Sequence, residues 1–219
     1  AAVLAMLAIR TLGLPAWWIM WTPILDGVLV GSLDIAAMAA LIVLAGRLSA
    51  LAPVLKIYAI LPMLGERRWR AILVSGLLIA ATIPIVPWAM FIADWPVVSQ
   101  TLATQNMSGS AWSWPVLWLA LALGLLSLGA RRAGYLAVPV LWPNTQPHYG
   151  ALVLPIASAN AILAIGFSFA FLIPWVPAAS VAVVIGIEIV GRVRGGRSWP
   201  ARHGSVPTGD AGPSTGRRG

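Results

Sequence analysis

Long apolar runs, separated by short breaks rich in glycine, proline or polar residues, make up most of this chain. A helix needs about 20 mainly apolar residues to cross the hydrocarbon core of a bilayer. Residues 28–45, 71–93, 112–130 and 169–190 approach or reach that length and read as membrane-spanning helices. The runs 48–64 and 151–166 are shorter and read as tilted or short helices inside a bundle. Segment 135–142 reads as a half-helix or re-entrant piece, tolerable only where protein or a water-filled cavity satisfies its backbone. Pro84, Pro87, Pro139, Pro155, Pro174 and Pro177 predict kinked or broken helices. No run alternates with period two, which excludes a water-soluble β fold. The predicted fold is all-α, a polytopic transmembrane helix bundle of about six to eight membrane segments.

Composition agrees with that pattern. Hydrophobic residues make up 60% of the 219 positions and charged ones 9%, with a mean hydropathy of +0.90, whereas soluble domains carry about 25% charged residues. The first residues, AAVLAMLAI, read as the end of an apolar helix already under way, and residue 1 is Ala. The chain is therefore expected to be the C-terminal part of a longer polytopic protein, and its start lacks the basic region of a signal peptide. Cysteine is absent, so disulfides, thiolate metal sites and a Cys nucleophile are excluded.

The net charge of +8 comes from arginines at the ends of apolar runs and in the tail, a distribution that fits an anionic lipid face and not nucleic acid. The clusters GERRWR (65–70) and ARRAG (130–134) flank a hairpin of two spans, and the intervening loop, 94–111, holds no Lys or Arg. The positive-inside rule then places both clusters in the cytoplasm and the loop outside. Residues 1–191 form the membrane domain, and 192–219, rich in Gly, Pro, Ser and Arg, read as a disordered basic cytoplasmic tail. With that tail inside, residues 135–190 must cross an even number of times, so one short segment spans or re-enters.

Ionisable groups at membrane depth are costly and count as functional candidates. They are Asp26, Asp34, Lys56, Asp94, His148 and Glu188. On one continuous helix Asp26 and Asp34 would lie only about 80° apart, although Asp26 also suits a cap or interface position. Lys56 stands about 13 Å of helix before the arginines of GERRWR; it either snorkels to the headgroups, supplies charge to a lipid phosphate, or pairs with a carboxylate such as Asp34. Glu188 and Arg192, at i and i+4, suit an interfacial ion pair. In the outside loop, Asn106, Ser108 and neighbouring tryptophans suit a sugar, whose hydroxyls need donors and whose C–H faces pack on aromatic rings; tryptophan belts at any membrane interface have the same composition. His148 lies in LWPNTQPHYG, a polar interruption framed by Pro143 and Pro147. It suits an acid or base, a phosphate ligand, or a hydrogen-bonded residue where a broken helix turns. No second ligand stands at metal spacing, so no metal is expected, and no nucleotide-binding motif is present.

In their order along residues 25–160, four stretches carry a resemblance: GVLVGSLDIAAMAALIVLAGR, LAPVLKIYAILPMLGERRWRA, TQNMSGSAW and VLWPNTQPHYGALVLP. Together they resemble glycosyltransferase family 87 (domain of unknown function 2029) in the GT-C superfamily of polytopic transferases. The resemblance implies transfer of a sugar, mannose or a pentose, from a polyprenyl-phosphate donor to an envelope lipid or glycan acceptor on the extracytoplasmic face of a bacterial plasma membrane, with no cofactor. It implies phosphate or structural charge contact by Lys56, a loop site at Asn106 and Ser108, and a pocket at His148 and Tyr149. The catalytic Asp of such enzymes lies in the first outside loop, which would fall upstream of residue 1. Asp34 departs from the family's pattern, since GSLD stands where Gly-Gln-x-Asn is usual. Two other classes stay open on the same residues: a multi-pass transporter or flippase, for which broken helices with intramembrane Asp and Lys are equally suited, and a non-catalytic membrane subunit. The absence of an internal repeat speaks modestly against transport.

Overall fold

The computed structural model describes residues 1–44, 46–104, 110–143 and 145–194. Asn106 and Ser108 and most of the expected tail lie outside these residues. Every regular element among the described residues is helical. The α-helices are α1 (Ala2–Thr11), α2 (Thr22–Leu29), α3 (Leu33–Val43), α4 (Leu51–Leu55), α5 (Ile60–Gly65), α6 (Trp69–Ala81), α7 (Trp88–Thr104), α8 (Pro115–Ser127), α9 (Ala130–Leu141), α10 (Leu154–Ala157), α11 (Ala161–Ser168) and α12 (Val176–Val193). Short 3₁₀ segments join several of them, including Ile57–Ala59 and Pro147–Val153.

The helices are shorter than the apolar runs that encode them. Among the described residues only α12, with 18 residues, is long and apolar enough to cross a membrane unaided. The run 28–45 divides because α2 ends in a Schellman turn: Ser32 N–H donates to Gly27 C=O at 2.8 Å and Gly31 N–H to Val28 C=O at 3.3 Å. Gly31, at φ +66°, supplies the left-handed conformation that this turn requires. Ser32 then caps α3 directly, its Oγ accepting from Asp34 N–H at 3.1 Å. Ser32→Ala is accordingly expected to cost about 1 kcal/mol, readable as a lower midpoint of thermal unfolding; an unchanged midpoint would remove the cap from the account.

The run 71–93 divides for a different reason. Pro84 and Pro87 provide no N–H, so α6 stops at Ala81 and α7 starts at Trp88. Thr82 Oγ1 donates to Ile79 C=O at 2.6 Å and accepts from Trp88 Nε1 at 3.0 Å, which fastens the two helices across the gap. At the other end of the chain α12 runs to Val193, two residues past the boundary drawn for the tail.

The buried centre is formed by α2, α3, α5, α9 and the Pro147–Val153 segment, with α5 packed along α9, α2 along Pro147–Val153 and α1 along α3. Ile24, Ile35, Met38, Leu136, Leu152 and Phe167 are wholly enclosed there. Around this centre, α6, α8 and α12 turn large apolar side chains outward, among them Leu73, Leu77, Val116, Leu126, Val183 and Val193. Aqueous monomers rarely expose a contiguous surface of that kind. The arginine clusters meet at one end of the bundle. Glu66 pairs with Arg68 at 2.6 Å and Arg131 at 3.3 Å, while Glu188 pairs with Arg132 at 3.8 Å and Arg192 at 3.3 Å.

Candidate functional site

The polar interruption at 141–150 begins where α9 ends inside the protein, and a buried helix end leaves carbonyls that need donors. Three side chains supply them. Thr145 Oγ1 donates to Pro139 C=O at 3.0 Å, Ser110 Oγ to Val140 C=O at 3.1 Å and Trp118 Nε1 to Leu141 C=O at 3.0 Å. The chain then restarts at Pro147, a position where a missing N–H costs a helix nothing. His148 and Tyr149 are thereby delivered against α2 and α3.

His148 bridges two carboxylates. Its Nδ1 lies 3.0 Å from Asp26 Oδ2, on α2, and its Nε2 lies 3.4 Å from Asp34 Oδ2, on α3. Close approach of the three elements relies on Gly27, where a Cβ would fall 2.8 Å from Ile35 and 3.3 Å from His148 Cβ. The two carboxylates do not share a face of one helix as eight-residue spacing suggests. The turn at Gly31 separates them, and the imidazole fills the space between.

Asp34 is fully buried and carries further contacts. Its Oδ2 takes a short hydrogen bond from the Ser32 hydroxyl and lies 3.4 Å from Lys56 Nζ. Its Oδ1 is enclosed and has no partner among the described residues. Lys56 occupies a break between α4 and the 3₁₀ segment Ile57–Ala59, with an extended backbone at φ −148° and ψ 109°. Pro53 and Pro62 bracket that break and each removes a helical N–H.

The Lys56 side chain is 27% exposed, whereas Asp34, which its ammonium faces at 3.4 Å, is fully buried. It lies 5.8 Å from the Tyr58 ring centre and 5.6 Å from that of Tyr149, within range of a cation–π attraction. Tyr58 and Tyr149 pack at 4.8 Å, and Tyr58 meets Trp142 edge-on at 5.6 Å. The Tyr58 hydroxyl is buried without a partner among the described residues. The result is an ammonium at the mouth of an aromatic wall, backed by an Asp–His–Asp chain.

Of the residues singled out from sequence, Asp26, Asp34, Lys56, His148 and Tyr149 come together here. Asn106 and Ser108 lie outside the described residues, Asp94 is exposed on α7, and Glu188 belongs to the arginine-rich end. Sequence reasoning left out Ser32, Tyr58 and Trp142, and it gave Asp26 no partner. Asp26 bears a visible signal, a carboxylate in an apolar stretch, but nothing in one sequence points it to a histidine 122 positions away. Comparison with protein-family models, curated proteins and solved structures finds no match to this chain.

Proposed function

We propose that the protein is a multi-pass membrane glycosyltransferase of the GT-C type, handling a polyprenyl-phosphate-linked sugar at the extracytoplasmic face of a bacterial plasma membrane. The observation that carries this reading is the Lys56 ammonium, anchored by buried Asp34 and lying within cation–π range of Tyr58 and Tyr149, with Trp142 packed against Tyr58. An ammonium has three donors, and among the described residues Asp34 is the only carboxylate paired with this one. The remaining donors suit the oxygens of a phosphodiester, and the half-buried rings of Tyr149 and Trp142 suit the C–H faces of its sugar. As the glycosidic bond breaks, negative charge grows on the departing lipid phosphate, and a fixed cation there lowers the barrier. The outward apolar faces of α6, α8 and α12 and the arginines collected at one end support a membrane setting with that end in the cytoplasm.

The test is transfer of labelled sugar from a polyprenyl-phosphate donor by membranes containing the protein. Lys56→Gln, which keeps a donor for Asp34 but loses the charge, is expected to lower turnover about 100-fold at unchanged membrane insertion. Wild-type turnover in that variant would take Lys56 out of the site, and no transfer by the folded protein to any lipid or glycan acceptor would refute the enzyme. The Asp26–His148–Asp34 chain favours one second reading, a proton-coupled transporter, because buried carboxylate–histidine chains serve as proton relays in such proteins. Proton-driven uptake into proteoliposomes, without sugar transfer, would select it.

A further inference from the structure

Asp34 Oδ2 is approached by more groups than one oxygen serves well. The Ser32 hydroxyl, Lys56 Nζ and His148 Nε2 all converge on it, the last two at 3.4 Å each, while Oδ1 has no partner among the described residues. A carboxylate oxygen has two lone pairs. Ser32, two residues away in the α3 cap, takes one of them, so Lys56 and His148 are rivals for the other.

The rivalry turns on one proton. A neutral imidazole has a single N–H. Asp26 lies 3.0 Å from Nδ1 and an ionised carboxylate only accepts, so that N–H belongs at Nδ1. Nε2 then presents a lone pair to Asp34 Oδ2, and Lys56 is the counter-charge that Asp34 needs. With a second proton on Nε2, the imidazolium donates to Asp26 and Asp34 together and takes over as counter-charge. Lys56, still beside Asp34, then has more of its charge and its other two donors for an anion.

We infer that anion binding at Lys56 is coupled to proton uptake by His148, with Asp26 as the positioning residue that fixes the ring. The inference rests on Lys56 as the anion contact proposed above. The charged and titratable groups around His148 are consistent with it. Asp26 faces it from α2, Asp34 from α3, Tyr149 stands beside it with ring centres 5.3 Å apart, and Lys56 and Tyr58 lie beyond Asp34 and Tyr149. Packed α9 brings Tyr135, whose hydroxyl donates to Glu66 instead, at 3.1 Å. The proton leaves a hydronium ion or buffer acid in solvent and ends on Nε2, so one N–H bond forms as the donor's bond to that proton breaks.

The probe is octyl mannosyl phosphate, a phosphodiester whose single charge stays fixed where histidines titrate. Its binding to the purified full chain is measured by calorimetry in buffers of different ionisation enthalpy, which counts protons, from about pH 5.5 to about pH 8. Wild type is expected to take up as much as about one proton and to lose affinity as pH rises, by at most about tenfold per pH unit. His148→Gln is expected to bind without proton uptake, Asp26→Asn to bind with a smaller proton uptake, and Lys56→Gln to lose binding. Lys56-dependent binding by wild type with no proton uptake would overturn the coupling and leave the Lys56 site standing. Undiminished binding by Lys56→Gln would overturn both. Persistent proton uptake in His148→Gln would place the proton elsewhere and also sink the inference. The proton count on wild type needs no variant to fold.

Discussion

Replacing Lys56 by Met is expected to destabilise the protein by about 3 kcal/mol, more than any conservative change on the outward face of α6 or α12. The cause is the charge left stranded. Asp34 is fully buried, and without the ammonium its Oδ2 keeps only the Ser32 hydroxyl and, at 3.4 Å, His148 Nε2 as neighbours, neither of them a permanent charge. A buried ion pair contributes little against an apolar replacement of the whole pair, yet removing one member leaves the other uncompensated. The double variant Lys56→Met/Asp34→Leu should therefore regain most of the lost stability, since no unpaired charge is left and Ser32 still caps α3. Thermal unfolding of the two variants and wild type at matched pH measures this. Equal losses in the single and double variants would mean that the pair is not the unit of stability.

That prediction joins α3 to the helix break after α4, and it shows what a single sequence carries. The identity of α3 and α12 as apolar helices follows from their runs of Ala, Ile, Leu and Val. The breaks were only partly legible. Pro84 and Pro87 announce the gap between α6 and α7, although the run 71–93 reads as one span when hydropathy is averaged across them. Gly31–Ser32 is a stop followed by an N-cap, yet the surrounding Val28, Leu29, Val30, Leu33 and Ile35 outweigh it in any window long enough to find a span.

The site divides along the same line. Lys56 and Asp34 stand out because charge is scarce in this chain, and scarcity alone suggests that they meet; the structure places them 3.4 Å apart. The aromatic wall does not stand out, because Tyr58, Trp142 and Tyr149 are ordinary residues for a membrane interface until three breaks in the helices bring them together. His148 is visible as a rare residue, whereas its bridging of two carboxylates depends on the Gly31 turn, far from it in sequence, and on the capping of α9, in which distant Ser110 and Trp118 join nearby Thr145. Local propensity sets where the chain breaks, and tertiary packing sets which broken ends face one another.

The second large effect is expected where α5 crosses α9, far from the polar cluster. Gly65 and Gly134 lie in contact, and a Cβ on Gly134 would fall 2.5 Å from the Leu61 carbonyl oxygen and 3.2 Å from Gly65 Cα. A Cβ on Gly65 would in turn run into the Ala130 carbonyl oxygen. The obstructing atoms on both sides are backbone, so no side-chain rotation relieves the clash and the helices must separate. Separation would draw Tyr135 away from Glu66, to which its hydroxyl donates at 3.1 Å, and Arg131 from the same carboxylate. Gly134→Leu is therefore expected to cost upward of about 4 kcal/mol, seen as failure to accumulate folded protein or as a collapse of the unfolding midpoint. Gly76, in α6, provides the control. Nothing lies within 4 Å of a Cβ built there, so Gly76→Ala should be neutral or stabilise by up to about 1 kcal/mol through helix propensity. A Gly134→Leu protein as stable as Gly76→Ala would show that α5 and α9 do not cross this closely.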